Sequence, residues 1–344
     1  MKPYAIISTD WHISSENVEL SKSLAAQQIG LAMKMGVKRL ICLGDVFESR
    51  KAQPEIVLKC FNDILDMIND SDMFLEVIPG NHDKTDYKSE SSFLIPFASH
   101  PAIVLRDKPF SHKLVGEDIH VHFVPFYHEE LWIPIVEGID ASAPGKHYLF
   151  SHQAMNGSRN NDGSKVESRI NAQFLSKFDM CYFGHYHDEQ QPLPNAIHLS
   201  SWKQKNFGEN DDKGFYLLNL DKEEGFEFEK VPSDFPKFHT FELTTENAVE
   251  SMSSLIELKQ NGNVNVRVKV KGTTSEIKSL PLTMLTDSGI KVQTIDIEEV
   301  DTKSENATIQ DYAKSEMLVD AFKEFCKEKD FDYEEGIKYL KNVL

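Results

Sequence analysis

The chain has 344 residues, long enough for two or three domains, and its 40% hydrophobic and 27% charged content is that of an ordinary soluble globular protein. No apolar run approaches the ~18 residues that a membrane span needs. The formal net charge of −18 excludes a protein that grips nucleic acid unaided through a broad basic face.

The pattern begins with an apolar strand at 4–8. This run is too short and wrongly flanked for a secretory signal, so the expected location is the cytoplasm. An amphipathic helix follows at 18–35, with Leu20, Leu24, Ile29 and Met33 near helical spacing. A strand at 39–43, a helix at 54–68 with Pro54 in its first turn, and a strand at 74–78 continue the alternation. That order favours an α/β sheet that starts with parallel strands. Strands are expected at 120–124, 147–150, 180–183 and 196–199, and a hairpin at 215–220 and 226–231. Helices thin out here, so a mixed sheet or two packed sheets are expected. Polar composition marks 156–168 and 203–213 as loops.

After Pro232 and Pro236 the texture changes. Strand, helix, strand, helix, strand at 239–243, 246–258, 264–270, 275–285 and 290–297 make a small βαβαβ domain. The expected domains are 1–232, 237–300 as a cap, a polar linker at 301–310, and a helical tail at 311–344. The stretch from Asp296 to Leu344 holds fourteen Asp and Glu against seven Lys, −7 of the total charge. The tail carries Leu318, Phe322 and Phe325 at helical spacing, then a capping-box pair, Asp332 and Glu335, ahead of Ile337, Leu340 and Leu344. Cys42, Cys60, Cys181 and Cys326 form no C-x-x-C pair and read as free thiols of a reducing compartment.

The chemistry lies at strand ends. Five apolar runs lead into Asp10-Trp11-His12, Gly44-Asp45, Gly80-Asn81-His82-Asp83, Ser151-His152 and Gly184-His185-Tyr186-His187. Ligands of open α/β sheets bind at the carboxyl ends of the strands. An extended backbone would point Asp10 and His12 to one side, and likewise His185 and His187. Glycine before Asp45, Asn81 and His185 permits a tight turn. Mixed carboxylate and imidazole donors suit Mn²⁺, Fe²⁺ or Zn²⁺ better than Mg²⁺ or Ca²⁺. Seven donors are too many for one ion. They suit two ions ~3.5–4 Å apart with a bridging carboxylate, the geometry of in-line attack on phosphate esters. Asp45, the single carboxylate at the second strand end, is the natural bridge. The remaining histidines, His100, His112, His120, His122, His128, His147, His198 and His239, read as core or surface groups.

The ordered set resembles the calcineurin-like metallophosphoesterases, whose pattern is D-x-H, G-D, G-N-H-D/E, H and G-H-x-H. The resemblance implies a four-layer α/β/β/α fold. It also implies that Asp10, His12, Asp45 and His187 hold one metal, and Asp45, Asn81, His152 and His185 the other. His82 would stabilise the transition state and protonate the leaving oxygen, a role suited to an imidazole. Asp83 would either orient His82 or cap the turn.

Ile197-His198-Leu199-Ser200-Ser201, Asn206-Phe207-Gly208-Glu209 and Lys213-Gly214-Phe215 resemble the segment after the last histidine motif in SbcD-type nuclease subunits of double-strand-break repair complexes, those of tailed phages included. Ser200 stands where that pattern has Gly. Glu48 stands where some members have His or Asp, and its role is open. Arg50 is either a contact to substrate phosphate or a surface ion-pair partner. The motifs are dense up to about residue 220, and beyond it the likeness is architectural.

This resemblance implies a manganese-dependent DNA exonuclease with single-strand endonuclease action. It further implies a homodimer bound to an SMC-like ATPase through its C-terminal helices, in the host cytoplasm if the protein is phage-encoded. An acidic nuclease could then rely on its partner to hold DNA. Leu318, Phe322, Phe325, Ile337 and Leu340 would dock in the partner's groove or pack on the chain's own cap. Two alternatives stand beside this reading. One is a small-substrate phosphodiesterase or phosphatase on the same scaffold. The other is a non-catalytic scaffold, against which every ligand and His82 are present.

Overall fold

The structure is a computed structural model that describes residues 2–160, 163–221 and 223–297. The tail residues Leu318, Phe322, Phe325, Ile337 and Leu340, and Cys326, lie outside the described residues. The chain divides after Phe238 into two compact units.

The first unit holds two six-stranded sheets. In chain order its elements are β1 (Lys2–Ser8), α1 (Val18–Met35), β2 (Arg39–Cys42), α2 (Glu55–Asp70), β3 (Phe74–Val77), β4 (Ile103–Leu105), β5 (Phe110–Lys113), β6 (Ile119–Val124), α3 (Glu129–Glu137), β7 (Lys146–His152), α4 (Ala172–Leu175), β8 (Met180–Gly184), β9 (Gln190–Leu193), β10 (Ala196–His198), β11 (Gly214–Asp221) and β12 (Gly225–Pro232). One sheet has the order β12-β11-β1-β2-β3-β4, the other β5-β6-β7-β8-β10-β9. β1 to β4 run parallel, as do β6, β7, β8 and β10. The antiparallel pairs lie at the margins, where the hairpin β11–β12 joins β1 and where β5 and β9 close the second sheet.

Side-chain alternation builds the layers. Ile6, Leu40 and Cys42 face one core with Leu24 and Ile29 of α1 and Phe61 and Ile64 of α2. Their neighbours Ala5, Ile7, Ile41 and Leu43 face the opposite way and meet Val121, Phe123, Tyr148 and Phe150 of the second sheet. The other side of the second sheet, with Leu149, Cys181 and Phe183, packs on Trp132, Ile133 and Val136 of α3 and Leu175 of α4. Three apolar seams separate four layers, α/β/β/α. With both faces covered, the central strands carry near-continuous apolar runs, as parallel sheets require.

Cys42, Cys60 and Cys181 are buried free thiols. Among the described residues no helix is long and apolar enough to cross a membrane.

In the second unit, β13 (Lys237–Thr244) leads to α5 (Thr245–Asn261), β14 (Val264–Gly272), α6 (Thr274–Ser279), α7 (Thr283–Asp287) and β15 (Lys291–Asp296). A capping box between Thr244 and Asn247 starts α5. The sheet order is β13-β14-β15, over a core of Met252, Leu255, Val266, Val268 and Leu285. The single helix expected at 275–285 is two short ones. Pro281 cannot donate a backbone hydrogen bond, and the chain is extended at Leu280 (ψ 141°) just before it.

The histidines of the second sheet form a structural chain. His147 donates from Nε2 to the Ala143 carbonyl (3.0 Å), so its Nδ1 accepts from His122 Nε2 at 3.1 Å. His122 Nδ1 in turn accepts from the Ser111 hydroxyl at 2.8 Å. Each ring nitrogen is thereby assigned in the neutral state. Burial, helped by His147, lowers the His122 pKa from 6.5 to about 4. The unfolded chain therefore binds more protons between those values, so this stability is complete above pH ~6.5 and is lost as pH falls toward 4. The expected outcome is that His122→Gln shows a shallower fall of Tm than the unaltered protein between pH 6.5 and 5. Parallel pH–Tm curves would rule out the neutral chain as a source of stability.

Candidate metal centre

The five motifs converge where β1, β2 and β3 of one sheet and β7 and β8 of the other end. Asp10 and Asp45 are 0% and 2% exposed, and among the described residues neither forms an ion pair with lysine or arginine. Buried carboxylates without a cation are costly. The groups that face them are imidazoles instead.

Two clusters share Asp45. In one, His12 Nε2 and His187 Nε2 stand 3.0 Å apart, at 3.8 and 3.9 Å from Asp10 Oδ1, and His12 Nε2 lies 3.7 Å from Asp45 Oδ2. In the other, Asn81 Oδ1 lies 3.1 Å from His152 Nε2 and 2.8 Å from His185 Nδ1, and Asp45 Oδ1 is 3.4 Å from His152 Nε2. Three groupings among the described residues have the donor set and spacing to hold a metal ion: Asp10–His12–His187, Asp45–His152–His185 and, adjoining the first, His12–Glu48–His82. Burial alone would lower the His152 pKa, yet Asp45 and Asp10 outweigh it and raise it to about 9, as expected where two anions lack a cation.

The backbone is bent to deliver these groups. Asp10 (φ 53°), His12 (φ 48°), Asp45 (φ 53°) and His185 (φ 94°) occupy the left-handed region, which branched and bulky residues avoid. The extended D-x-H backbone expected from sequence is therefore incorrect. Asp10 and His12 converge because both residues turn left-handed, held by bonds from Asp10 N to Gly44 O and from His12 N to Asp45 O, each 3.0 Å. Such conformations cost ~1–3 kcal/mol each and persist where surrounding contacts enforce them.

The glycines act in two ways. Gly44 has φ 91°, the turn expected. Gly80 and Gly184 serve close approach instead. A Cβ on Gly80 would lie 2.2 Å from Asp45 Oδ1, and one on Gly184 would lie 2.2 Å from Thr9 Oγ1 and 2.6 Å from Leu43 O.

Asp83 caps the turn. Its oxygens accept from the backbone N–H of Gly80 (2.8 Å), Phe47 (3.0 Å) and Val46 (3.3 Å), which ties the second motif to the third. Burial, with Asp45 adding, pushes its carboxyl up to about 7 despite those donors. His82 lies at the edge of the clusters, its ring 4.7 Å from that of His12. Its backbone N donates to Asp45 Oδ1 at 2.8 Å and its Nδ1 donates to the Glu48 carbonyl at 2.5 Å. Nε2 is then left to accept from the exposed Arg50 guanidinium at 2.8 Å.

The segment at 203–213 is loop, as its polar composition indicates, yet Lys203, Gln204, Glu209 and Lys213 are buried. It wraps the site. Trp202 stacks on Trp11 at 4.5 Å, and Trp202 Nε1 and Lys203 Nζ both donate to the Trp11 carbonyl. Glu209 accepts from His187 Nδ1 at 2.8 Å, and Lys213 Nζ donates to the His187 carbonyl at 2.6 Å. These contacts give the Asn206-to-Phe215 motif a physical role that its sequence did not supply. The remaining histidines stay away from the clusters. His198, fully buried, donates to the Gly184 carbonyl and accepts from Ser158.

No family model matches the chain. Exonuclease subunit 1 of Enterobacteria phage T4 is 24% identical over 299 residues, covering 83% of each chain. Among solved structures, a dimetal phosphatase from Danio rerio is 10% identical, with a TM-score of 0.42 over 67% of this chain and 98% of that one. A calcineurin-like phosphoesterase from Bacillus subtilis is 12% identical, with a TM-score of 0.38 over 66% and 87%. The chain is thus similar to a phage exonuclease subunit over most of its length, in keeping with the SbcD-type resemblance of its motifs.

Gly80→Ala tests the close approach. Its Cβ should displace Asp45 and cost ~1–3 kcal/mol, and a rise in Tm with added divalent cation is expected for the unaltered protein but not for the variant. A variant still stabilised by Mn²⁺ to the same extent would show that the contact is not needed.

Proposed function

We propose that the protein is a metal-dependent phosphodiesterase that cleaves DNA, acting as the nuclease subunit of a recombination or repair complex. The observation that carries this reading is Asp45, whose two oxygens face two separate imidazole clusters. That arrangement suits two divalent ions with a shared carboxylate, and the mixed donors suit Mn²⁺. Asp10, His12, Asp45 and His187 would hold one ion, and Asp45, Asn81, His152 and His185 the other. When bound, the pair would supply charge neutralisation of the phosphodiester and an activated water.

The chain's own residues do the rest. The glycine turns and left-handed backbone fix the donors before substrate arrives. Arg50 stands beside His82 at the open edge, so a phosphate oxygen there competes with His82 Nε2 for the same guanidinium donors. Phosphate binding would release the Nε2 lone pair from Arg50, and a proton taken up there from solvent could then pass to the leaving oxygen, while the Glu48 carbonyl holds the ring by Nδ1–H.

The DNA substrate and the subunit role are supported by the phage relative, which is an exonuclease subunit. Net charge supports the second point separately, because a −18 chain needs help to hold a polyanion. An SMC-like ATPase is the proposed partner and a homodimer the proposed form, in the host cytoplasm. The tail residues Leu318, Phe322, Phe325, Ile337 and Leu340 are the proposed docking stripe.

The test is cleavage of end-labelled double-stranded DNA with Mn²⁺, beside an aryl phosphodiester. The unaltered protein should cleave the DNA. His82→Ala should keep Mn²⁺ binding and lose ~10²–10⁴-fold in rate, and Asp45→Ala should lose both. Undiminished cleavage by His82→Ala would remove it from the chemistry. Aryl ester turnover without DNA cleavage, even with the partner added, would favour a small-substrate phosphoesterase.

A further inference from the structure

The two clusters differ in what stands behind their imidazoles. His12 Nδ1 lies 3.0 Å from Glu48 Oε2, and His187 Nδ1 donates to Glu209 Oε1 at 2.8 Å. Each carboxylate sits on the nitrogen opposite the one that faces the site; the Glu209 bond fixes the His187 tautomer that leaves the Nε2 lone pair toward a metal, and Glu48 stands at ion-pair distance from His12 Nδ1 without an aligned hydrogen bond. The other cluster has no such support. His152 Nδ1 donates to the neutral Leu43 carbonyl at 2.6 Å, and among the described residues no carboxylate backs His185. Asn81 adds no charge there.

Lys205 joins the two backing groups. Its Nζ lies 2.8 Å from Glu48 Oε2 and its backbone N donates to Glu209 Oε2 at 3.0 Å. Lys213 Nζ, fully buried, stands 3.5 Å from the same Glu209 oxygen, and Asn206 Nδ2 donates to Oε1 at 3.1 Å. The loop after the last histidine motif and the turn after Asp45 thus hold the imidazoles of one cluster only.

The geometry points to Glu48 and Glu209, linked by Lys205, as positioning residues that make Asp10–His12–Asp45–His187 the first of the two metal sites to fill. The first cluster offers two direct carboxylates and two behind its rings. The second shares Asp45 and has carbonyl support alone. Four acidic groups against one should separate the two affinities. Glu48 acquires a role by this assignment. Where some SbcD-type proteins have His or Asp, this chain uses a longer acid that reaches His12 and is itself held by Lys205.

The inference rests on the two-metal reading, and the test separates the two. Mn²⁺ is titrated into the full-length metal-free protein by calorimetry, with free Mn²⁺ counted by electron paramagnetic resonance. The expected result is a tight event followed by a weaker one. Glu48→Gln and Glu209→Gln should each weaken the tight event ~10–100-fold and leave the weaker one in place. Lys205→Met, on a partly exposed side chain, should act in the same direction through Glu48 and guards against a folding defect in Glu209→Gln. Asn81→Ala should remove the weaker event alone. Two events with the tight one unchanged in Glu48→Gln, Glu209→Gln and Lys205→Met would overturn the positioning role while the two-metal reading stands. Two events of equal affinity would overturn the order of filling. A single event in the unaltered protein would overturn both.

Discussion

Two carboxylates, Asp10 and Asp45, are buried at the ends of neighbouring parallel strands without a lysine or arginine to balance them. Few arrangements in a folded chain are less favourable on their own. The surroundings make sense as a response to that fact. Four imidazoles crowd the two acids, the Asn81 amide oxygen faces two of those rings, and Asp45 divides its oxygens between the groups. A chain that needed only stability would have replaced the acids by apolar residues. A divalent cation held between them would offset that cost.

The cost of the arrangement spreads into the scaffold. Four of the five non-glycine residues with left-handed φ among the described residues belong to the two clusters. Glycine is enforced at Gly80 and Gly184 because backbone and side chain from other motifs occupy the space a Cβ would take. Asp83 and Glu209 are buried acids placed beside this centre, each satisfied by donors from a different segment. The four layers supply the rigidity for this. Both sheets are covered on both faces, so the strand ends are fixed and the strain is confined to the residues just beyond them.

Much of this was legible in the sequence because strand ends announce themselves. An apolar run that stops at Gly-Asp, Gly-Asn-His or Gly-His marks both the end of a strand and a donor. The four layers were implied by the resemblance that the ordered motifs carry, while the pattern of elements alone left a mixed sheet or two packed sheets. Legibility failed where local pattern and tertiary context part. β4 is three residues long after Pro101, and β5 carries Ser, His and Lys, so neither shows a strand signature. α3 holds Pro134 inside it, which argues against a helix on local grounds. Pro281 marks the break between the two short helices in the sequence itself. Polar composition marks 203–213 as a loop and no more, since it cannot reveal that Lys203, Glu209 and Lys213 are buried against residues far away in sequence. Glu209 lies 22 positions from His187, and Lys205 lies 157 from Glu48. Only the closed fold brings them together.

The central claim is that Asp45 is the carboxylate shared between two metal ions. The most direct measurement is anomalous diffraction from crystals of the protein grown with Mn²⁺. The account gives two peaks ~3.5–4 Å apart, one on each side of Asp45, with His12 and His187 at the first and Asn81, His152 and His185 at the second. A single peak, or two peaks of which only one touches Asp45, would contradict it.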